Sequence, residues 1–227
     1  VVIDPRAVAD RHPDSTIRAL ARLTVDVTER PWALTGADLA AARADGLDDA
    51  GILHAILQAS LFGHFNRIAD AVGVDADYPD SFGAPHVEPA TPAYLRPRCA
   101  PDPDAARPIE LDARAGAADL LSAWRAHALD RDLPLTRRHR ALIAHIVAAR
   151  LGDLSVKEAA ADTALDHALA DLADVVTLAP WRLGPAAFEP LRALGLADDA
   201  EVFDAVATAS SCTVFSRIAA TLAALAR

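Results

Sequence analysis

Apolar positions recur three and four residues apart along most of this chain. Ile17, Leu20, Ala21 and Val25 form one such row, and Asp14 or Ser15 can cap a helix running to about Val27. Thr35 with Asp38 has the spacing of a capping box for a short helix that stops at Gly46. Asp48 and Asp49 open a long helix to about Val72, where carboxylates suit the positive end of the helix dipole. The pattern resumes near Leu111 and covers Ala117 to Leu129, and Thr136 can cap a helix that is apolar on most sides. Ser155-Val-Lys-Glu158 reads as a capping box for a further helix. A helix near 165–175, a short one from Pro185 and a last one from Asp198 to about Ala226 complete the set. In the last, the row Phe203, Val206, Ser210, Val214, Ile218, Leu222 and Leu225 is expected to be core. The alternation that marks strands is absent, so the fold class is all-α.

The chain also repeats itself. Leu20 to Ala69 returns as Leu169 to Ala219. At an offset of 149, Thr28, Pro31, Trp32, Leu34, Arg43, Gly46 and Leu47 match Thr177, Pro180, Trp181, Leu183, Arg192, Gly195 and Leu196. One inserted residue, Ala197, shifts the offset to 150, and Ser60, Phe65, Arg67, Ile68 and Ala69 then match Ser210, Phe215, Arg217, Ile218 and Ala219. Two copies indicate a duplicated unit and not a solenoid. Pro31-Trp32 and Pro180-Trp181 mark the entry to each short helix as a rigid turn with a large apolar anchor. Retention of arginine at 67 and 217 points to a structural role, such as an ion pair with a carboxylate at a helix terminus.

Between the copies, eight prolines from Pro79 to Pro108 exclude a regular element. The expected organisation is an N-terminal half unit over 1–78, a proline-rich arm over 79–109 and a C-terminal unit over 110–227. Tyr78, Phe82 and Tyr94 suggest that the arm packs against something. With 227 residues, 52% of them hydrophobic, the chain can bury a substantial core. Its net charge of -10 disfavours phosphate backbones and anionic membranes. Two cysteines, Cys99 and Cys212, make no disulfide framework, and no signal segment or uninterrupted apolar span is evident, so a cytoplasmic setting is expected.

The repeat unit resembles the AhpD-like alkylhydroperoxidase and carboxymuconolactone decarboxylase superfamily. The resemblance lies in Leu34-Thr35 with Asp38, Arg43-Ala-Asp-Gly46-Leu47, and Asn66-Arg67-Ile68-Ala69, and in Arg140-Ala-Leu-Ile-Ala-His145 before the second copy. It implies an AhpD-like helical fold in tandem units, oligomers built by helix packing, and peroxiredoxin-type chemistry. That chemistry uses a Glu, a Cys-x-x-Cys at a helix start and a His one turn on, since a helix N-terminus stabilises a thiolate. These positions fall on Ala141, Asp153, Val156 and Ala160, and none carries the required group.

Four residues remain as candidates. Arg138 and His145 share a helical stripe with Ala141, where they can bind a carboxylate or move a proton. Asp153 stands at the first vacated cysteine position as a base or as an acceptor for an arginine. Cys212 is the alternative nucleophile, set against its reading as a small buried residue; Cys99 has an adjacent Arg98 but no resolving partner. No His-x-x-x-His, Cys-x-x-Cys or Glu-x-x-His spacing suggests a metal, no glycine-rich loop suggests a nucleotide, and no cofactor is expected. Three readings stay open: a diverged binding or partner subunit; a non-thiol decarboxylase or isomerase acting on a small acid through Arg138, His145 or Asp153; and a single-cysteine hydroperoxidase using Cys212 or Cys99. A homo-oligomer and a small-molecule ligand are the expected partners.

Overall fold

The computed structural model describes residues 5–74 and 109–226. Among them every regular element is helical. A short α1 (Pro5–Ala9) precedes α2 (Ser15–Glu29), α3 (Gly36–Ala44) and α4 (Asp49–Val72); then come α5 (Ala117–Leu129), α6 (Arg137–Leu151), α7 (Ala164–Leu178), α8 (Pro185–Ala193) and α9 (Asp199–Leu225). The proline-rich stretch, with Cys99, Tyr78, Phe82 and Tyr94, lies outside the described residues up to Pro108. Ile109, which the sequence placed at the end of the arm, is buried in the core.

The duplication holds at the level of backbone. Helices α2 and α7 start and stop at an offset of 149, as do the 3-10 turns Pro31–Ala33 and Pro180–Arg182 and helices α3 and α8. The starts of α4 and α9 are offset by 150. Even the irregular joints agree: Arg30 sits at φ -149, ψ 59 and Ala179 at φ -148, ψ 56. Gly46 at φ 100 and Gly195 at φ 117 both take the left-handed turn that a side chain resists. The inserted Ala197 falls in the loop before α9, where an extra residue disturbs no helix.

The caps follow the sequence closely. Asp14, Thr35, Thr136 and Asp198 each accept a backbone N–H at a helix start, and Thr35–Asp38 closes a reciprocal box. Ser155-Val-Lys-Glu158 does not behave as expected. Residues 152–163 form no helix. Asp153 Oδ1 accepts from the Ser155 amide (2.9 Å) and hydroxyl (2.6 Å), closing a side-chain turn that takes the groups a cap would use. The helix of the second copy starts later, at Thr163, which closes its own box with Asp166.

The two copies are not separate bodies. Helices α4 and α9 make the most extensive helix contact of the molecule. One core joins α2, α3 and the first half of α4 to the last turns of α9, while a second joins α6, α7 and α8 to the first half of α9. Ile68 and Ala71, at the end of α4, pack on that second core. Each long helix therefore serves its own unit with its first half and the other unit with its second. Helix α9 is buried on nearly all sides, which explains why so apolar a helix is needed there. By length and composition it could cross a membrane, yet 83% of its apolar window is buried within this fold. Phe203, expected in the core, is instead 47% exposed: its neighbours Val202, Ala205 and Val206 are buried, so at this point α9 turns Phe203 to the outside.

Candidate functional site

The four sequence candidates do not converge. Arg138 Nη1 and Nη2 donate to the Asp166 carboxylate at 2.6 and 2.8 Å, and Nη2 also reaches Asp162 at 3.1 Å. This fork holds α6 against the start of α7 and engages both terminal nitrogens, the pair that would grip a substrate carboxylate. The Arg138 side chain keeps the Asp166 carboxyl well below the usual range, helped by the Thr163 and Asp162 amides. Ala141 is exposed and His145 half-buried, with no hydrogen bond or ion pair joining His145 to Arg138 or Asp153 among the described residues. Asp153 is buried in its turn with Ser155, its Oδ2 lacking a partner.

Cys212 lies inside the second core, 2% exposed, and burial pushes its thiol up to about 12. The thiolate needed for attack on a peroxide is therefore scarce at neutral pH. This environment favours the reading of Cys212 as a small buried residue. The helix start that would activate a thiol near Asp153 is missing as well, for the reason given above. Among the described residues no group of three or more His, Cys, Asp or Glu is placed to hold a metal ion.

What the fold does concentrate is buried polarity along α9. Arg140 is completely buried. It donates to the carbonyls of Ala128 (3.0 Å), Arg131 (3.0 Å), Leu133 (3.3 Å) and Leu135 (3.2 Å), to the Thr208 hydroxyl (2.9 Å) and to Asp204. Asp204 also accepts from the Leu135 amide and from Arg131. This network fastens the loop between α5 and α6 to α9. In the sequence Arg140 stands out only as part of the resembling helix; an arginine amid Leu, Ile and Ala is the signal of its buried role.

The second concentration lies where α4 crosses α9. Ser210 Oγ is 2.8 Å from His64 Nδ1 and donates to the His64 carbonyl at 3.1 Å. Burial holds the His64 imidazole below its usual pKa, so it is neutral there. Arg67 donates to the carbonyls of Val176 (2.8 Å) and Thr177 (3.1 Å) at the end of α7. Arg217, its repeat partner, donates to the carbonyl of Thr28 (3.2 Å), the repeat partner of Thr177. Each arginine thus closes the C-terminus of the other unit's first helix, where a cation offsets the dipole and satisfies stray carbonyls. The expected ion pair with a carboxylate is replaced by these carbonyls.

The surface differs between the copies in one systematic way. Helix α6 covers α7 and α9, and α5 lies across α9 through Trp124, whose ring stands edge-on to Phe215. The first copy has no helices in these positions among the described residues. Leu169 is 0% exposed and its counterpart Leu20 is 38% exposed; for Cys212 and Phe62 the values are 2% and 62%, and for Phe215 and Phe65 they are 7% and 55%. Asp166, which accepts from Arg138 of α6, is replaced by Ile17 in the first copy. The first unit therefore presents an apolar helix face where the second carries two packed helices.

A groove of about 450 Å³ runs between α7 and α8, with His167, Asp171, Leu172, Val175 and Pro190 in its walls. The corresponding side of α2 is occupied: Arg22 pairs with Asp10, and Asp26 with Arg6 of α1.

No family model, curated protein or solved structure matches this chain. The site must be judged from its own geometry.

Proposed function

We propose that this chain is a diverged protein of the AhpD-like class that acts as a cytoplasmic binding or partner subunit and not as a thiol peroxidase. The observation that carries this reading is the environment of Cys212, enclosed in the core with its thiol pushed up to about 12. The non-thiol enzyme reading loses its support because Arg138 is held by two aspartates and Asp153 by Ser155. The test is reduction of an organic hydroperoxide with a dithiol donor, comparing wild type with Cys99→Ser and Cys212→Ser. The expected result is no turnover above the uncatalysed rate. Turnover that disappears with Cys212→Ser sinks the proposal.

The partner this surface suits best is a second copy of the chain. Phe62 and Phe65 on α4, and Ile17 and Leu20 on α2, are exposed apolar side chains on a molecule of net charge -10, so a two-fold contact through them sets no carboxylate of these positions against another. The internal repeat supplies the precedent, since the same face of the second unit is packed under helices. Sedimentation of wild type is expected to give a dimer, and of Phe62→Glu/Phe65→Glu a folded monomer. A monomeric wild type at micromolar concentration removes the second copy as occupant.

A further inference from the structure

Arg67 and Arg217 pose a charge problem that the protein alone does not solve. Both are buried. Both reach toward one point on α4: a Cβ placed on Gly63 would lie 2.9 Å from Arg67 Nη1 and 3.7 Å from Arg217 Nη1. A guanidinium is in practice always charged. Two of them sharing a buried site require negative charge nearby.

The described residues supply little of it. Arg67 is balanced in part by Asp70, which is itself half-buried and has its carboxyl pushed up by desolvation. Arg217 feels no carboxylate; burial first, then the proximity of Arg67, pulls its pKa well below the usual value. The hydrogen bonds are just as unequal. Arg67 also donates to the Gly63 carbonyl at 2.6 Å, so all three of its nitrogens are engaged. Arg217 uses Nε on Thr28, while its Nη1 is buried with no partner. One turn further along α9, the Thr221 hydroxyl is also buried and unpartnered. Orphaned buried donors of this kind are rare, because each costs free energy to leave unmade. His64, neutral beside Ser210, contributes no charge.

We propose that the crossing of α4 and α9 is a binding site for a small inorganic anion, held by Arg217 Nη1 with Arg67. The anion neutralises the arginine pair and takes up the donor that no carbonyl meets. Gly63 fits this role, since a side chain there would run into Arg67 and fill the approach between the two guanidiniums. The site sits on the seam between the two copies, so its occupancy ties the units together and is independent of what covers the outer apolar face.

Chloride is the probe. The thermal midpoint is measured as sodium chloride replaces sodium gluconate at constant ionic strength, which separates binding from screening. Stabilisation by a ligand specific to the folded state is expected to grow with the logarithm of chloride above its Kd, with a rise of roughly 5–10 °C once chloride exceeds its Kd about 100-fold. Arg217→Met is expected to abolish the response. If that variant does not fold, Gly63→Ala, whose methyl group would lie 2.9 Å from Arg67 Nη1 and 3.7 Å from Arg217 Nη1, is expected to weaken chloride binding by about tenfold, the loss of one charged hydrogen bond. Crystals grown with bromide should show an anomalous peak within hydrogen-bond distance of Arg217 Nη1. A flat titration, a response that these variants leave unchanged, or a water at that position in the bromide crystals overturns the proposal.

Discussion

Arg140→Met removes the guanidinium at the centre of the α5–α6 loop and keeps a side chain of similar length. Asp204 of α9 then stays buried with only the Leu135 amide and the more exposed Arg131 as donors. Breaking a buried ion pair from one side costs about 3–5 kcal/mol, because the remaining charge loses its main partner. The carbonyls of Ala128 and Leu133 lose their arginine donor as well, which places the expected loss toward the upper end of that range. For a chain of this size each kcal/mol moves the midpoint by roughly 2–4 °C, so the midpoint should fall by roughly 6–20 °C. Urea unfolding gives the free energy directly, and an unchanged m-value shows that the folded state is otherwise intact. The decisive comparison is with Arg140→Met/Asp204→Leu. Removing both charges leaves no buried orphan carboxylate, so the double variant should recover at least half of the loss. A single-variant loss below about 1 kcal/mol, or a double variant worse than the single, would refute the view that this network fastens the loop to α9.

Other perturbations separate structure from chemistry. Asp166 has its folded pKa depressed by the Arg138 fork, so its contribution to stability is present above the ordinary carboxylate value near 4 and is lost as pH falls below it; Asp166→Asn should flatten the acid limb of a stability–pH curve below pH ~4, and an unchanged limb would contradict the assignment. In a Cys99→Ser background, a thiol reagent at pH ~8 should leave the native protein unlabelled and titrate one thiol after denaturation; rapid native labelling would show Cys212 to be accessible. Gly195→Ala meets open space and tests the left-handed turn alone, at about 1–2 kcal/mol, whereas Gly46→Ala adds a 3.0 Å approach to the Thr16 hydroxyl and should cost more; equal losses would show that the hydroxyl moves aside freely.

The helices were legible because their signals are local. Asp14, Thr35, Thr136 and Asp198 mark starts by side chains that can be read in sequence, and they cap helices in the fold. The failures are equally physical. Ser155 and Glu158 have the spacing of a cap, but the competing acceptor, Asp153, stands two residues earlier and captures Ser155 first. Spacing alone does not tell these outcomes apart. Phe203 lies on the expected apolar row, yet Val202 and Ala205 take the inward side of this turn and leave it exposed, which only the packing partners decide. Arg138 and His145 share a stripe as expected, yet the acidic start of α7 claims the arginine, and that approach is tertiary.

The repeat carried information that no single motif did, and its use lies in the mismatches. Where both copies agree, as at Arg67 and Arg217, the residue serves the shared architecture: each closes a helix of the opposite unit. Where they disagree, the surroundings have diverged. Cys212 and Asp166 sit under α6 and are small or charged; Phe62 and Ile17 occupy the same positions without such a cover and are large and apolar. Relaxed selection on an exposed face would favour polar residues there, since scattered polar groups cost nothing in water. Large apolar residues kept at several matching positions argue instead for a face that is covered in the working assembly. Inside the seam the copies differ as well. Arg67 finds carbonyls for all of its nitrogens and Arg217 does not, although the backbone around them repeats. An equivalent arginine left one partner short in a repeated frame marks the place where something other than the chain completes the set.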